Sequence, residues 1–220
     1  MPLRASLFKA IEELKTEVVT MADLVLHNIS ESFLAFKNND TKKALELIKS
    51  DEQVDKYEED IAKNALRLIW KEQPMAHDLR MVTGILKLIT DLERIGDHAA
   101  DISEITLHIG NLHNQRTLPK TTIMSESAYD MVFNAINAFV KLDLKLAQQV
   151  IKDDDIVDGE FDDVMKSVTE QIKNDSIESE YAVSVIMVAK YMERVADHAV
   201  NLAEWTTFII TGEHKSTPLI

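Results

Sequence analysis

The sequence predicts an all-α protein built from two similar three-helix bundles in tandem, related by a pseudo-twofold axis. Only five glycines and four prolines occur in 220 residues, so the chain has few turns and its elements must be long. Apolar residues recur every three or four positions over long stretches, which is the period of a helix that buries one face. The second half of the chain then repeats the pattern of the first, so both halves should share one design.

The first half contains three predicted helices. Over 7–36 the apolar residues keep helical spacing for about eight turns. Polar residues end this helix, and Asp40 is placed to cap the next one. The second helix covers about 44–69 and stops before Pro74, because proline disfavours a helical residue in front of it. The third helix is predicted at about 76–108.

The second half is recognised by direct comparison with the first. Residues 93–104 read ERIGDHAADISE and residues 193–204 read ERVADHAVNLAE, so six of twelve positions are identical at an offset of 100. Residues 48–61, IKSDEQVDKYEEDI, match residues 151–164, IKDDDIVDGEFDDV, at an offset of 103. The change of offset predicts a shorter connection before the last helix, around residues 174–176.

The boundary between the two halves is predicted at residues 111–121. Gly110 precedes this segment and Pro119 lies inside it, and it carries no helical pattern. We therefore expect the first bundle to cover residues 1–112 and the second to cover residues 119–220.

Composition excludes several functional classes. The 38 acidic residues outnumber the 24 basic ones and give a formal net charge of −14, which disfavours direct binding to nucleic acid or to an anionic membrane. The absence of cysteine excludes disulfides, iron–sulfur clusters and thiol catalysis. The early charges of the N-terminus and the lack of a long apolar run predict neither a signal peptide nor a membrane-spanning helix. We expect a cytoplasmic protein.

The repeated acidic residues are the candidate functional site. Glu93 and Asp97 are four residues apart and share one helix face, and Asp51 and Asp55 do the same on the preceding helix. If the two faces meet, two carboxylates about 5 Å apart repel by roughly 3 kcal/mol, and a bound cation would neutralise them. We call these four residues the first carboxylate set; the second carboxylate set consists of Asp154, Asp158, Glu193 and Asp197.

Two other interpretations remain open. In one, the carboxylates are structural and a salt-bridge network neutralises them, with Arg94, Arg80, Arg67 and Lys87 as the candidate cations. In the other, the chain is a metal-dependent enzyme of the di-iron type, but the Glu-x-x-His pair of such bundles does not occur in the sequence.

His98 and His198 directly follow an aspartate of each set. Adjacent helical residues point about 100° apart, so a histidine at these positions need not share the carboxylate face. We therefore interpret both histidines as packing or supporting residues rather than ligands.

The chain resembles the PhoU family, which is associated with the high-affinity phosphate transporter of bacteria and archaea. The resemblance lies in ERIGDH at 93–98, ERVADH at 193–198, QPMAHDLR at 73–80, and the Asp-x-x-Val-Asp steps at 51–55 and 154–158. It covers nearly the whole chain in the right order. It implies two three-helix bundles and an adaptor without enzymatic activity.

The same resemblance implies a ligand and partners. Members of the family bind metal ions through such motifs, so both carboxylate sets become metal ligands, with Glu59 and Asp162 as weaker additions. Iron is the first expectation; manganese, magnesium, calcium and zinc are the alternatives. The expected partners are the ATPase subunit of the phosphate ABC transporter and the sensor histidine kinase of the phosphate response. A homodimer is also expected, without nucleic-acid binding or direct membrane insertion.

Overall fold

The computed structural model describes residues 2–110, 119–215 and 217–218, and it confirms the all-α prediction. These residues form six long helices: α1 (Pro2–Asn38), α2 (Thr41–Glu72), α3 (His77–His108), α4 (Pro119–Lys141), α5 (Leu144–Lys173) and α6 (Ser179–Thr211). The three predicted helices of the first half correspond to α1, α2 and α3. The predicted domain boundary falls on residues 111–118, which lie outside the described residues.

The turns α1–α2 and α4–α5 are built in the same way. In each, one residue takes a left-handed conformation, Asn39 with φ 52° and Leu142 with φ 52°. An aspartate follows, and the carboxylates of Asp40 and Asp143 each accept hydrogen bonds of 3.0 and 3.1 Å from backbone amides of the next helix. Asp40 is thus the predicted cap, and Asp143 repeats it at the offset of 103.

The connections α2–α3 and α5–α6 differ, and the prediction of a shorter second connection is wrong. Four residues, 73–76, join α2 to α3, whereas five residues, 174–178, join α5 to α6. The second half is nevertheless three residues shorter here, because in the repeat α5 ends two positions earlier than α2 and α6 begins two positions later than α3. Asp175, with φ 52°, turns the chain after the end of α5, and Ile177 anchors the longer connection in the core.

The middle of the molecule is formed by α3 and α6. The helix α3 packs against α1, α2 and α6, while α6 packs against α3, α4 and α5, and α1 also contacts α4. Both helices are therefore apolar over much of their circumference, as a helix buried on several sides must be. One continuous cluster of buried side chains runs through both halves.

The chain turns back on itself after α6. Gly212, with φ 86°, takes the left-handed conformation that ends the helix, and its amide donates to the carbonyl of Phe208. A two-residue antiparallel ribbon follows, β1 (Glu213–His214) and β2 (Thr217–Pro218), which the sequence did not predict. Its His214 ring stacks on Trp205 with centroids 3.9 Å apart.

Among the six described helices, none has an apolar stretch of the length and hydropathy that crossing a membrane requires.

Candidate metal centre

The first carboxylate set comes together where α2 packs against α3. Asp51 and Asp55 lie one turn apart on α2, and Asp97 faces them from α3. One oxygen from each of these three carboxylates lies within 4.8 Å of the others. Asp51 and Asp97 are partly buried, whereas Asp55 is exposed. The arrangement can offer a cation three carboxylate oxygens from two helices.

Gly96 explains why the helices approach so closely at this point. Val54, between the two aspartates of α2, is fully buried. A Cβ atom at Gly96 would lie 3.0 Å from Val54 Cγ1 and 3.1 Å from Asp51 Oδ1. The missing side chain therefore leaves the room that the Asp51 carboxylate uses. The second half carries Ala196 at the matching position.

Burial and the repulsion of neighbouring acids make Asp51 and Glu93 hard to ionise. The pKa of Asp51 rises to about 6, mainly because burial disfavours the charged form, and then because Asp97 and the other nearby acids are negative. The pKa of Glu93 is also raised, first by burial and then by the charge of Asp97, while Arg94 opposes the rise. Glu93 thus belongs electrostatically to the same group.

Two oxygens of the first set lack a hydrogen-bond partner. Both Asp51 Oδ1 and Glu93 Oε2 are buried and accept no hydrogen bond, although Glu93 Oε2 has the Arg94 guanidinium beside it at 3.3 Å. A buried polar atom of this kind is costly unless something else satisfies it. Since all donors are carboxylate oxygens, the arrangement fits a hard cation such as iron, manganese, magnesium or calcium.

Arg94 provides part of the neutralisation that the structural interpretation requires. Its Nη1 donates to Asp97 Oδ2 at 2.7 Å, and its Nε lies 3.3 Å from Glu93 Oε2. The Arg94 side chain is 56% exposed, so it covers the set from the solvent side. Lys87, another candidate cation of that interpretation, instead lies 5.7 Å from the centroid of the Trp205 ring.

The second carboxylate set occupies the matching place between α5 and α6. The pKa of Asp154 rises to about 6, mainly through burial and then through the charge of Asp197, with the other acids of the set contributing. The pKa of Asp197 is raised by burial first, then by Glu193, and Lys190 opposes the rise. The four acids are therefore close enough to interact. In the described ranges, however, three converging carboxylates are found at the first set alone.

The comparison with known proteins agrees with the internal repeat. A family model described as the PhoU domain matches residues 18–106 and again residues 121–206. The chain belongs to the PhoU family.

Among the curated PhoU relatives, the phosphate-specific transport system accessory protein PhoU homolog of Aquifex aeolicus is 35% identical over 188 residues, which cover 86% of this chain and 85% of that protein. The phosphate-specific transport system accessory protein PhoU of Escherichia coli is 29% identical over 203 residues, covering 92% and 84%.

Solved structures of PhoU share the fold. The crystal structure of PhoU from Pseudomonas aeruginosa superimposes with a TM-score of 0.87 at 26% identity, over 93% of this chain and 99% of that one. The phosphate transport system regulatory protein PhoU from Streptococcus pneumoniae also gives a TM-score of 0.87, at 25% identity, over 94% and 98%. The two tandem three-helix bundles are therefore the PhoU architecture.

The two histidines of this PhoU chain lie between its halves. Their rings meet where α3 packs against α6, with centroids 5.6 Å apart. His98 Nδ1 lies 3.3 Å from Asp101 Oδ2 on its own helix. His198 Nδ1 lies 2.8 Å from Asp91 Oδ1 across the interface, and Asn201 donates to the same oxygen at 3.1 Å. Both histidines thus lie in the contact between α3 and α6.

Asp91 is the residue that sequence reasoning missed. It lies seven positions before His98, so it shares that face of α3, and this spacing was the available signal. Of the two weaker ligand candidates, Glu59 accepts a 3.0 Å hydrogen bond from Lys63 on the exposed side of α2, and Asp162 is exposed.

Proposed function

We propose that this chain regulates phosphate uptake and phosphate homeostasis. It would act as an adaptor that couples the ATPase subunit of a phosphate ABC transporter to a sensor histidine kinase, and repress uptake and starvation signalling when phosphate is plentiful. The observation that carries this proposal is the match of both halves to the PhoU domain. Relatives aligned over most of their length carry the name phosphate-specific transport system accessory protein.

An exposed apolar strip on α2 supports the adaptor role. Trp70 is 81% exposed and Leu66 is 58% exposed, one turn apart on the same face. Packing is the default interpretation of a tryptophan such as Trp70 near a helix end, and its exposure contradicts that interpretation. The matching positions of α5 are Thr169 and Lys173. Since the second bundle folds with polar residues there, the fold does not require apolar ones. Exposed apolar patches of this kind mark contact surfaces for other proteins.

The adaptor role is tested by co-purification from cells grown at high and at low phosphate. We expect the tagged chain to retain the transporter ATPase and the sensor kinase, and to retain more of both at high phosphate. The double variant Leu66→Thr/Trp70→Lys should lose at least one partner. The control Ile156→Thr, which changes an exposed apolar residue of α5, should keep both. Failure of the unmodified chain to retain either protein would contradict the proposal.

We also propose that the carboxylate sets bind metal ions, with iron first and manganese, magnesium, calcium or zinc as alternatives. Supporting this are the three converging carboxylates and the two buried carboxylate oxygens that accept no hydrogen bond. Elemental analysis of the purified chain should find metal, and the double variant Asp97→Asn/Asp197→Asn should contain less. Equal metal content in both would reject the site, while Glu52→Gln, an exposed neighbour of Asp51, serves as the control.

We also propose that the chain is cytoplasmic and forms a homodimer. Absence of a spanning helix among the described residues is compatible with recruitment to the transporter through protein partners. Sedimentation equilibrium of the metal-loaded chain should give twice the mass of 24.9 kDa. A single-chain mass at micromolar concentration would contradict the dimer.

A further inference from the structure

The second carboxylate set has a lysine beside it that the first set lacks. Lys190 on α6 donates from Nζ to Glu193 Oε2, so an ammonium group already lies on a carboxylate of the second set. We propose that the two sets are unequal cation sites, in which the first takes a metal ion while the Lys190 ammonium occupies the second. This inference rests on the metal binding proposed above and assigns an order of filling to it.

Matching positions of the two halves carry different residues around the two carboxylate sets. Lys190 corresponds to Thr90 at the offset of 100, and the Thr90 hydroxyl donates to a backbone carbonyl of its own helix. Phe161 on α5 corresponds to Glu58 at the offset of 103. The first half thus has an additional acid where the second has an aromatic ring, and it lacks the lysine.

Lys190 is held from two sides. Its Nζ lies 5.5 Å from the centroid of the Phe161 ring, a distance suited to a cation–π contact, while Glu193 accepts its hydrogen bond. The Glu193 side chain is only 17% exposed, so this charged pair is partly shielded from solvent. The ammonium therefore neutralises one carboxylate of the set, that of Glu193.

The basic residue beside the first set is Arg94, whose side chain is more exposed than that of Lys190. Arg94 contacts Asp97 and Glu93 from the solvent side, whereas the buried Asp51 Oδ1 has neither a hydrogen-bond donor nor a cation beside it. At the matching position of α6, the Arg194 guanidinium lies 5.7 Å from the centroid of the Tyr191 ring instead. In the part of the chain that the structure describes, no oxygen of the second set is both buried and without a partner. The first set thus retains a buried carboxylate oxygen, Asp51 Oδ1, without a partner, and no such buried oxygen occurs among the described atoms of the second set.

A metal ion that enters the second set must displace the ammonium from Glu193. This breaks a charge-assisted hydrogen bond, so we expect binding there to be weaker by on the order of tenfold to a hundredfold. The first set also has a charge-assisted hydrogen bond, from Arg94 to Asp97, but these side chains are more exposed (56% and 32%) than those of Lys190 and Glu193 (42% and 17%), so we expect that breaking it costs less. The chain should bind one metal ion tightly and a second one weakly.

Titration of the metal-free chain with Mn²⁺, followed by electron paramagnetic resonance, tests this order. The unmodified chain should show one tight and one weak site. Lys190→Thr, which copies the residue of the first half, should convert the weak site into a tight one. Thr90→Lys, the reciprocal change at an exposed position, should weaken the tight site. Asp97→Asn should remove the tight site of the unmodified chain, and Asp197→Asn should leave it.

Lys190→Arg is the conservative control, because it keeps a positive charge and should leave the second site weak. Far-ultraviolet circular dichroism of each variant verifies the fold. Two equal Mn²⁺ sites in the unmodified chain, unchanged in Lys190→Thr, would overturn the inequality and leave the proposed metal binding intact. No Mn²⁺ binding in any variant would overturn the metal site itself.

Discussion

At the scale of single residues, ionising the carboxyl group of Asp51 lowers the stability of the folded chain. Its pKa is 3.8 in the reference state and about 6 in the folded chain, so between these pH values the native state binds more protons than the unfolded one. The contribution of this group to the free energy of unfolding therefore falls as the pH rises from about 4 to about 6, and stays low above that. The matching residue Asp154, with its pKa also raised to about 6, behaves in the same way.

The substitution Asp51→Asn should stabilise the metal-free protein at pH 7.5, because asparagine carries no charge. We expect a gain of about 1 kcal/mol, after allowing for the exposure of the group to solvent. The gain should shrink toward pH 5 and vanish near pH 4, where the aspartate of the unmodified chain is already protonated. Thermal unfolding in chelator at several pH values measures it. A gain that does not change with pH would contradict this origin, and Glu52→Gln should change little at any pH.

Asp91 is the second residue with a measurable role, because it joins α3 to α6. Its side chain is 14% exposed, and its Oδ1 lies within hydrogen-bond distance of both His198 and Asn201. Replacing it removes two contacts between the halves and leaves their partners in a partly buried place.

The substitution Asp91→Ala should lower the free energy of unfolding by about 1 to 3 kcal/mol. Asp101→Ala is the matched control: Asp101 also contacts a histidine, His98, but on its own helix and in a more exposed position. Urea denaturation of the metal-free proteins compares the two variants. Equal losses for Asp91→Ala and Asp101→Ala would show that the link between the helices contributes nothing of its own.

At the scale of the helices, Gly84 and Gly159 differ in how closely a neighbouring helix approaches them. A Cβ atom at Gly84 would lie 2.3 Å from Ile209 Cγ1, so this glycine sets how closely α3 approaches α6. A Cβ atom at Gly159 on α5 would meet nothing within 4 Å. The first position depends on the missing side chain, and the second does not.

Gly84→Ala should destabilise the protein and Gly159→Ala should stabilise it. Alanine favours a helix over glycine by about 1 kcal/mol at both positions. At Gly84 the clash adds an overpacking cost of about 1 to 3 kcal/mol, which leaves a net loss of up to about 2 kcal/mol. Melting temperatures of the two variants should therefore move in opposite directions from that of the unmodified chain. A higher melting temperature for Gly84→Ala would mean that Ile209 relaxes without cost.

The helices were predictable because each depends on a local pattern. Apolar spacing predicted α1, α2 and α3, and Asp40 and Pro74 predicted ends that the structure confirms. The i, i+4 spacing and the repeat also singled out the acids that converge between α2 and α3. Periodicity states which residues share a face, and it does so without knowledge of the neighbouring helix.

What the sequence could not predict depends on how two faces meet. Gly96 matters because α2 approaches it, and Lys190 matters because it turns toward Glu193 rather than toward solvent. Neither direction follows from spacing. Asp91 pairs with a residue 107 positions away, in the other half of the chain. Trp70 likewise lies on the outer face of α2, since nothing among the described residues covers it.

At the scale of the whole molecule, the two bundles share one core. The central helices α3 and α6 each pack on their own bundle and on one another, and α1 contacts α4. The rings of Phe36 in the first half and Tyr181 in the second stack with centroids 6.1 Å apart. Separating the halves would expose this apolar surface to water, so each half stabilises the other.

We therefore expect both halves to unfold in a single transition. In a Trp70→Phe background, Trp205 is the one remaining tryptophan and reports on the second half, while far-ultraviolet circular dichroism reports on the helices of both. Urea unfolding curves from the two signals should coincide.

Adding Ile61→Ala, which removes a fully buried side chain from α2 in the first half, should lower the free energy of unfolding by about 2 to 5 kcal/mol. Because the core is continuous, the Trp205 transition should move to lower urea by the same amount as the circular dichroism. A Trp205 midpoint that stays in place while part of the helical signal is lost early would show that the halves fold independently.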